Sequence, residues 1–101
     1  MHKSTKACSI SKEVKYRVYE RDEGLCIICG AVGFPDAHVV SRAHLGLGIE
    51  DNIVTLCRNC HRLYDGERRK EYGEIIRDYL KNIYPEWDES KLTYKKGEDY
   101  E

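Results

Sequence analysis

Two C-x2-C pairs, Cys26 with Cys29 and Cys57 with Cys60, constrain this chain more than any other feature. Each pair can present two thiolates from one tight turn, and the two turns together can close a tetrahedral four-sulfur site with no position left for a reacting molecule. Such a site is structural, because its binding free energy becomes folding free energy. A chain of 101 residues with 35% charged residues is expected to form one domain around a small core, so that contribution matters. The rival pairing into disulfides requires an oxidising compartment. No apolar segment long enough for a leader or a membrane span follows the polar start MHKSTKACSISKEVK. The expectation is therefore a cytoplasmic, intracellular protein with no membrane partner, whose reduced thiols take Zn²⁺. The knuckle spacing suits metal better than thiol exchange, which sets a redox function aside. Cys8 has no partner in this scheme and is given no role.

Residues 1–10 are polar without periodicity and are expected to form a flexible arm. From Ser11 to Glu23, Val14 and Val18 fall one turn apart and predict a short amphipathic helix capped by Ser11 and stopped by Gly24. Gly30 follows the first cysteine pair, where a knuckle often needs glycine's backbone freedom. Ala37 to Val40 and Asn52 to Leu56 read as strands. The segment between them, with Gly46 and Gly48, is longer than a hairpin turn, and long loops in small domains lean towards function. Helical patterns run from Arg58 to Gly66 and from Glu67 to Tyr84. In the second, Tyr72, Ile75, Ile76, Tyr79, Leu80 and Ile83 make one apolar stripe that reads as core. Pro85 ends it. Residues 11–84 form the expected domain, and residues 85–101 a tail able to fold back through Trp87, Leu92 and Tyr94.

The net charge of −1 is not that of a protein held to nucleic acid by its overall field. Phosphate binding would fall to local clusters, Lys12, Lys15, Arg17 and Arg21 in one and Arg58, Arg62, Arg68, Arg69 and Lys70 in the other, while the end EDYE is acidic. Phosphodiester hydrolysis needs a base for water and positive charge for the phosphoryl and leaving oxygens. His38, with an ordinary pKa of about 6.5, can be a neutral base. His61 directly follows Cys60, about 100° round a helix, so a thiolate and an imidazole can serve different metals. Asp65, four residues on, shares its face and is a natural second ligand. Taken singly, each histidine has an ordinary structural reading, Asn52 reads as a turn residue and Arg42 as a solvated arginine.

His38, Asn52 and His61 in this order, with glycines between and the last histidine abutting a cysteine pair, resemble the HNH endonuclease family over residues 26–65. The fuller pattern AHVVSR…GLGIEDNIVTLC…CH…D is similar to small nucleases of bacteriophages and prophages. The resemblance implies an α+β fold, a zinc-stabilised ββα-metal (His-Me finger) unit with flanking N- and C-terminal helices. It implies an endonuclease that uses a divalent ion such as Mg²⁺ or Mn²⁺ to hydrolyse DNA, leaving a 3′-hydroxyl and a 5′-phosphate. His38 would be the general base, Asn52 the side chain that bonds backbone across the loop, and His61 and Asp65 ligands of the catalytic metal. Arg42, His44, Arg58 and Arg62 are candidates for DNA contacts, and by family analogy packaging proteins or a second copy of the chain would add specificity. One position departs from the pattern. Many relatives carry a metal-binding aspartate or histidine just before the general base, and here that residue is Ala37. The ion would then rely on His61, Asp65, water and phosphate, or recruit Asp36, which in a regular strand faces the same side as His38. Ala37 also motivates a second reading, a zinc-stabilised nucleic-acid- or protein-binding module with weak or no hydrolysis.

Overall fold

The centre of the computed structural model, which describes residues 3–95, is an antiparallel pair of strands, β1 (Phe34–His38) and β2 (Ile53–Leu56). All four residues of β2 are buried, as its run of branched side chains predicts. β1 begins earlier than expected and carries a bulge: Phe34 pairs with Leu56 and Ala37 with Val54, so β1 spends one extra residue over the same span. Pro35 falls in that interval, where its missing N–H interrupts no ladder bond. Beyond the strand, Val39 N–H still donates to the Asn52 carbonyl at 2.8 Å.

Three helices form where the apolar spacing predicts them. α2 (Lys12–Arg21) is capped by Ser11, whose Oγ accepts from Val14 N–H at 3.1 Å, and it packs Val14 and Val18 on Ile53. α3 (Arg58–Asp65) and α4 (Arg69–Ile83) place Tyr64, Ile76 and Leu80 in the main core with Ala37, Val39, Val54 and Leu56. Ile75, expected in the same stripe, faces solvent instead. A buried pair ties these elements together. Asp22 accepts from Thr55 N–H (2.9 Å), from the Tyr79 hydroxyl (2.5 Å) and from Arg21 Nε (2.8 Å), and Arg21 in turn donates to the carbonyls of Glu50 and Ile53. Arg21 is therefore committed inside the fold rather than available to a phosphate.

The N-terminal end of the chain departs from expectation. A helix, α1 (Lys3–Cys8), forms where a flexible arm was expected, and Cys8 is buried. The reason is the glycine at position 48: its N–H donates to Ala7 at 2.9 Å, and a Cβ there would lie 2.0 Å from the Ser9 carbonyl oxygen, so only glycine lets the end of α1 lie against the loop. After α4 the chain folds back as the apolar residues suggest. Trp87 Nε1 donates to Asp51 O at 2.8 Å, Leu47 N–H to Leu92 O at 2.7 Å, and Tyr94 N–H to Leu45 O at 2.8 Å. The connection between the strands is thus pinned from both sides, with 3-10 turns at Arg42–His44 and Glu50–Asn52. The acidic end EDYE lies outside the described residues. Among those described, no helix is long and apolar enough to cross a membrane.

Candidate active site

The four knuckle cysteines bring their sulfurs within 4.8 Å of one another, with Cys29 and Cys57 Sγ 3.6 Å apart. Tetrahedral zinc with Zn–S near 2.3 Å separates its sulfurs by about 3.8 Å, so the quartet fits that ion. The backbone builds it from both sides. Gly30 takes φ 82° and donates to the Cys26 carbonyl, while Cys57 caps α3 and its Sγ accepts from Cys60 N–H at 3.4 Å. Burial pushes the Cys26 thiol up, but N–H donors of Cys29, Cys57 and Ile28 outweigh it and bring it down to about 7. Burial and its neighbouring thiols push Cys60 well above the ordinary range. Four thiolates this close need a cation between them, and the cysteines are positioned to hold one.

A cleft of about 490 Å³ is lined by Asp36, His38, Arg42 and His61, with Ser9, Ile10 and Lys15 from the N-terminal segment. Nε2 of His38 lies 3.0 Å from the Cys8 carbonyl. A carbonyl only accepts, so Nε2 carries the hydrogen and Nδ1 keeps the lone pair. Burial lowers the His38 pKa; the Cys8 carbonyl and Asp36 oppose this, and Arg42 and His61 reinforce it. The ring is neutral at physiological pH.

His61 meets one carboxylate at each nitrogen: Asp36 Oδ1 lies 3.6 Å from Nδ1 and Asp65 Oδ2 lies 3.7 Å from Nε2. Of the two, only Asp36 lines the cleft with the histidines. Its Oδ1 is buried without a hydrogen-bond partner, and a bare carboxylate oxygen facing an imidazole nitrogen is a donor pair that suits a divalent cation. Asp65 does not converge with Asp36 on one point, since the two address opposite edges of the ring. Ala37 is wholly buried in the core. The other Asp36 oxygen accepts from Arg58 at 3.2 Å, and that guanidinium stacks over Phe34.

Asn52 is buried and clamps the loop: Val40 N–H donates to its Oδ1 at 2.8 Å, and its Nδ2 donates to Val40 O and Leu47 O at 3.2 and 2.7 Å. Arg42 is the only arginine whose guanidinium has no hydrogen-bond, ion-pair or ring partner among the described residues; Arg17 binds Glu50, Arg62 binds Asn59, Arg68 binds Glu71, Arg69 reaches Val39 O and Arg77 binds Glu89. His44 is bonded to Ser41 at 2.9 Å, and neither it nor Arg62 lines the cleft. Sequence reasoning missed the Cys8 carbonyl and the cleft positions of Ser9, Ile10 and Lys15. A backbone carbonyl has no residue signature, and the need of Gly48 for a close neighbour does not name that neighbour.

Residues 26–66 match the HNH endonuclease family, so both knuckles, both strands, α3 and the residues His38, Asn52 and His61 fall within the matched segment. No curated protein matches the chain.

Proposed function

We propose that this protein, with its HNH match over residues 26–66, is a divalent-metal-dependent endonuclease that hydrolyses DNA phosphodiester bonds. The observation that carries the reading is the shared cleft, in which His38, His61, Asp36 and the uncommitted Arg42 face one space. His38 is the general base. With its Nε2 hydrogen held by the Cys8 carbonyl, Nδ1 takes a proton from water as the water oxygen attacks phosphorus. The bond from phosphorus to the 3′ oxygen breaks, and that oxygen leaves as a hydroxyl with a proton from solvent, the phosphate remaining on the 5′ end. Arg42 donates to the non-bridging oxygens as their charge grows. Asn52 keeps the loop closed on Val40, two residues beyond His38, and so keeps the base aimed. Asp36 Oδ1 and His61 Nδ1 would hold Mg²⁺ or Mn²⁺, with Asp65 steadying the ring from Nε2; the ion, when bound, would supply positive charge to offset that growing on the departing oxygen. The exposed Arg58, Arg62 and His44 serve as DNA backbone contacts.

Two observations favour a second reading. Arg58 already neutralises Asp36, and Ala37 offers no ligand, as in a zinc-stabilised nucleic-acid-binding module without hydrolysis. Plasmid nicking across a panel of divalent ions separates the two. Wild type should nick, with His38→Ala and His61→Ala each at least about 10²-fold slower. Nicking that survives His38→Ala sinks the nuclease mechanism, and a wild type that binds DNA without cutting under any ion selects the module.

A further inference from the structure

We infer that Lys15, in the first turn of α2, is a DNA phosphate ligand, so that the segment preceding the HNH unit supplies part of the substrate-binding surface. Its ligand rests on the nuclease reading above. Lys15 lines the same cleft as His38, His61 and Arg42. It is exposed and its ammonium has no ion-pair or hydrogen-bond partner among the described residues, whereas the arginines of the same helix are committed, Arg17 to Glu50 and Glu13 and Arg21 to the buried network. The carboxylate in the cleft, Asp36, is already faced by Arg58 and His61, which leaves two uncommitted cations, Lys15 and Arg42, in one depression. That local excess resolves how a chain of net charge −1 can hold a polyanion. The helix carrying Lys15 is fixed, because the adjacent Val14 is buried against Val18 and Ile53. An ammonium on a fixed element fits a phosphate oxygen as a point charge and reads no sequence.

The test uses the His38→Ala protein, which removes cleavage, and fluorescence anisotropy of a short DNA duplex over a salt series. Lys15→Gln should weaken binding about threefold to tenfold and reduce the log–log salt slope by about 0.9. Lys15→Arg should restore both, and Lys81→Gln, on α4 outside the cleft, should change neither. Unchanged affinity and slope for Lys15→Gln, with a wild type that cuts, overturn the inference and leave the nuclease reading standing. Lys15-dependent binding by a chain that never cuts does the reverse, and absence of duplex binding overturns both.

Discussion

The backbone carbonyl of Cys8 stands 3.0 Å from Nε2 of His38, across 30 positions of sequence. A short helix at the start of the chain therefore chooses which imidazole nitrogen is free to accept a proton. Because the contact is made by backbone, replacing the Cys8 side chain does not remove it; moving the helix does.

Gly48→Ala tests this dependence. The new methyl would meet the Ser9 carbonyl at 2.0 Å, so α1 must lift from the loop and take the Cys8 carbonyl with it. DNA cleavage should fall about 10²-fold, as expected of a misplaced catalytic group. The Cys8 thiol, 3% exposed in the native fold, should become reactive to a thiol reagent while zinc content stays constant. Full cleavage with a reactive Cys8 would show that the helix does not orient the base.

Metal removal should unfold the matched unit rather than merely silence it. The four cysteines join the turn before β1 to the start of α3. A strong chelator at neutral pH should release one zinc per chain, with a cooperative loss of helical circular dichroism that added Zn²⁺ reverses. Retention of the native spectrum after complete zinc release would refute a structural role.

How much of this was legible beforehand differs by element. The helices α2, α3 and α4 follow from apolar spacing and from Ser11, because a cap and a buried stripe are local properties that the residues themselves display. The knuckles are local in the same way. The helix α1 was not legible, since its packing depends on a loop far along the chain. Arg21 reads as one more solvated base in the sequence, yet it is enclosed by Asp22, Tyr79 and Tyr84, partners that only the tertiary fold assembles. Likewise His61 and Asp65 sit four apart on one helix, as spacing predicts, but the carboxylate at the other ring nitrogen comes from Asp36 on a strand, which helix spacing does not reveal.

Asp22→Ala should be among the most destabilising single changes. Its side chain is fully enclosed and satisfies Thr55 N–H, Tyr79 and Arg21 at once. Removing one partner of a buried pair costs about 3–5 kcal/mol, which urea unfolding can read. A loss near that of an exposed substitution would mean that water takes over these contacts.

The same network sets an alkaline limit. Burial, helped by Asp22, pushes the Tyr79 hydroxyl up to about 12. The folded state thus favours the protonated form more than the unfolded chain does, where tyrosine titrates near 10. The stability it provides is complete below pH 10 and is lost as pH rises from there towards 12. Denaturant midpoints should fall across that window, and Tyr79→Phe should flatten part of the decline. An equal decline in both proteins would place the sensitivity elsewhere.

The two carboxylates around His61 should separate in calorimetric titrations with Mn²⁺. Asp36→Ala removes a proposed ligand and should abolish binding at the cleft, whereas Asp65→Ala removes only a support for the ring and should weaken it about 10- to 100-fold. The reverse order would return Asp65 to the coordination sphere.

The bulge in β1 carries a lesson about distance along a chain and distance in space. The added residue falls at Pro35 and Asp36, and the acid lines the same cleft as both imidazoles although alanine stands between it and His38 in sequence. A pattern that demands adjacency would pass over this chain. As the proposed ligand, Asp36 would let the same arrangement survive a one-residue slip in its own spelling.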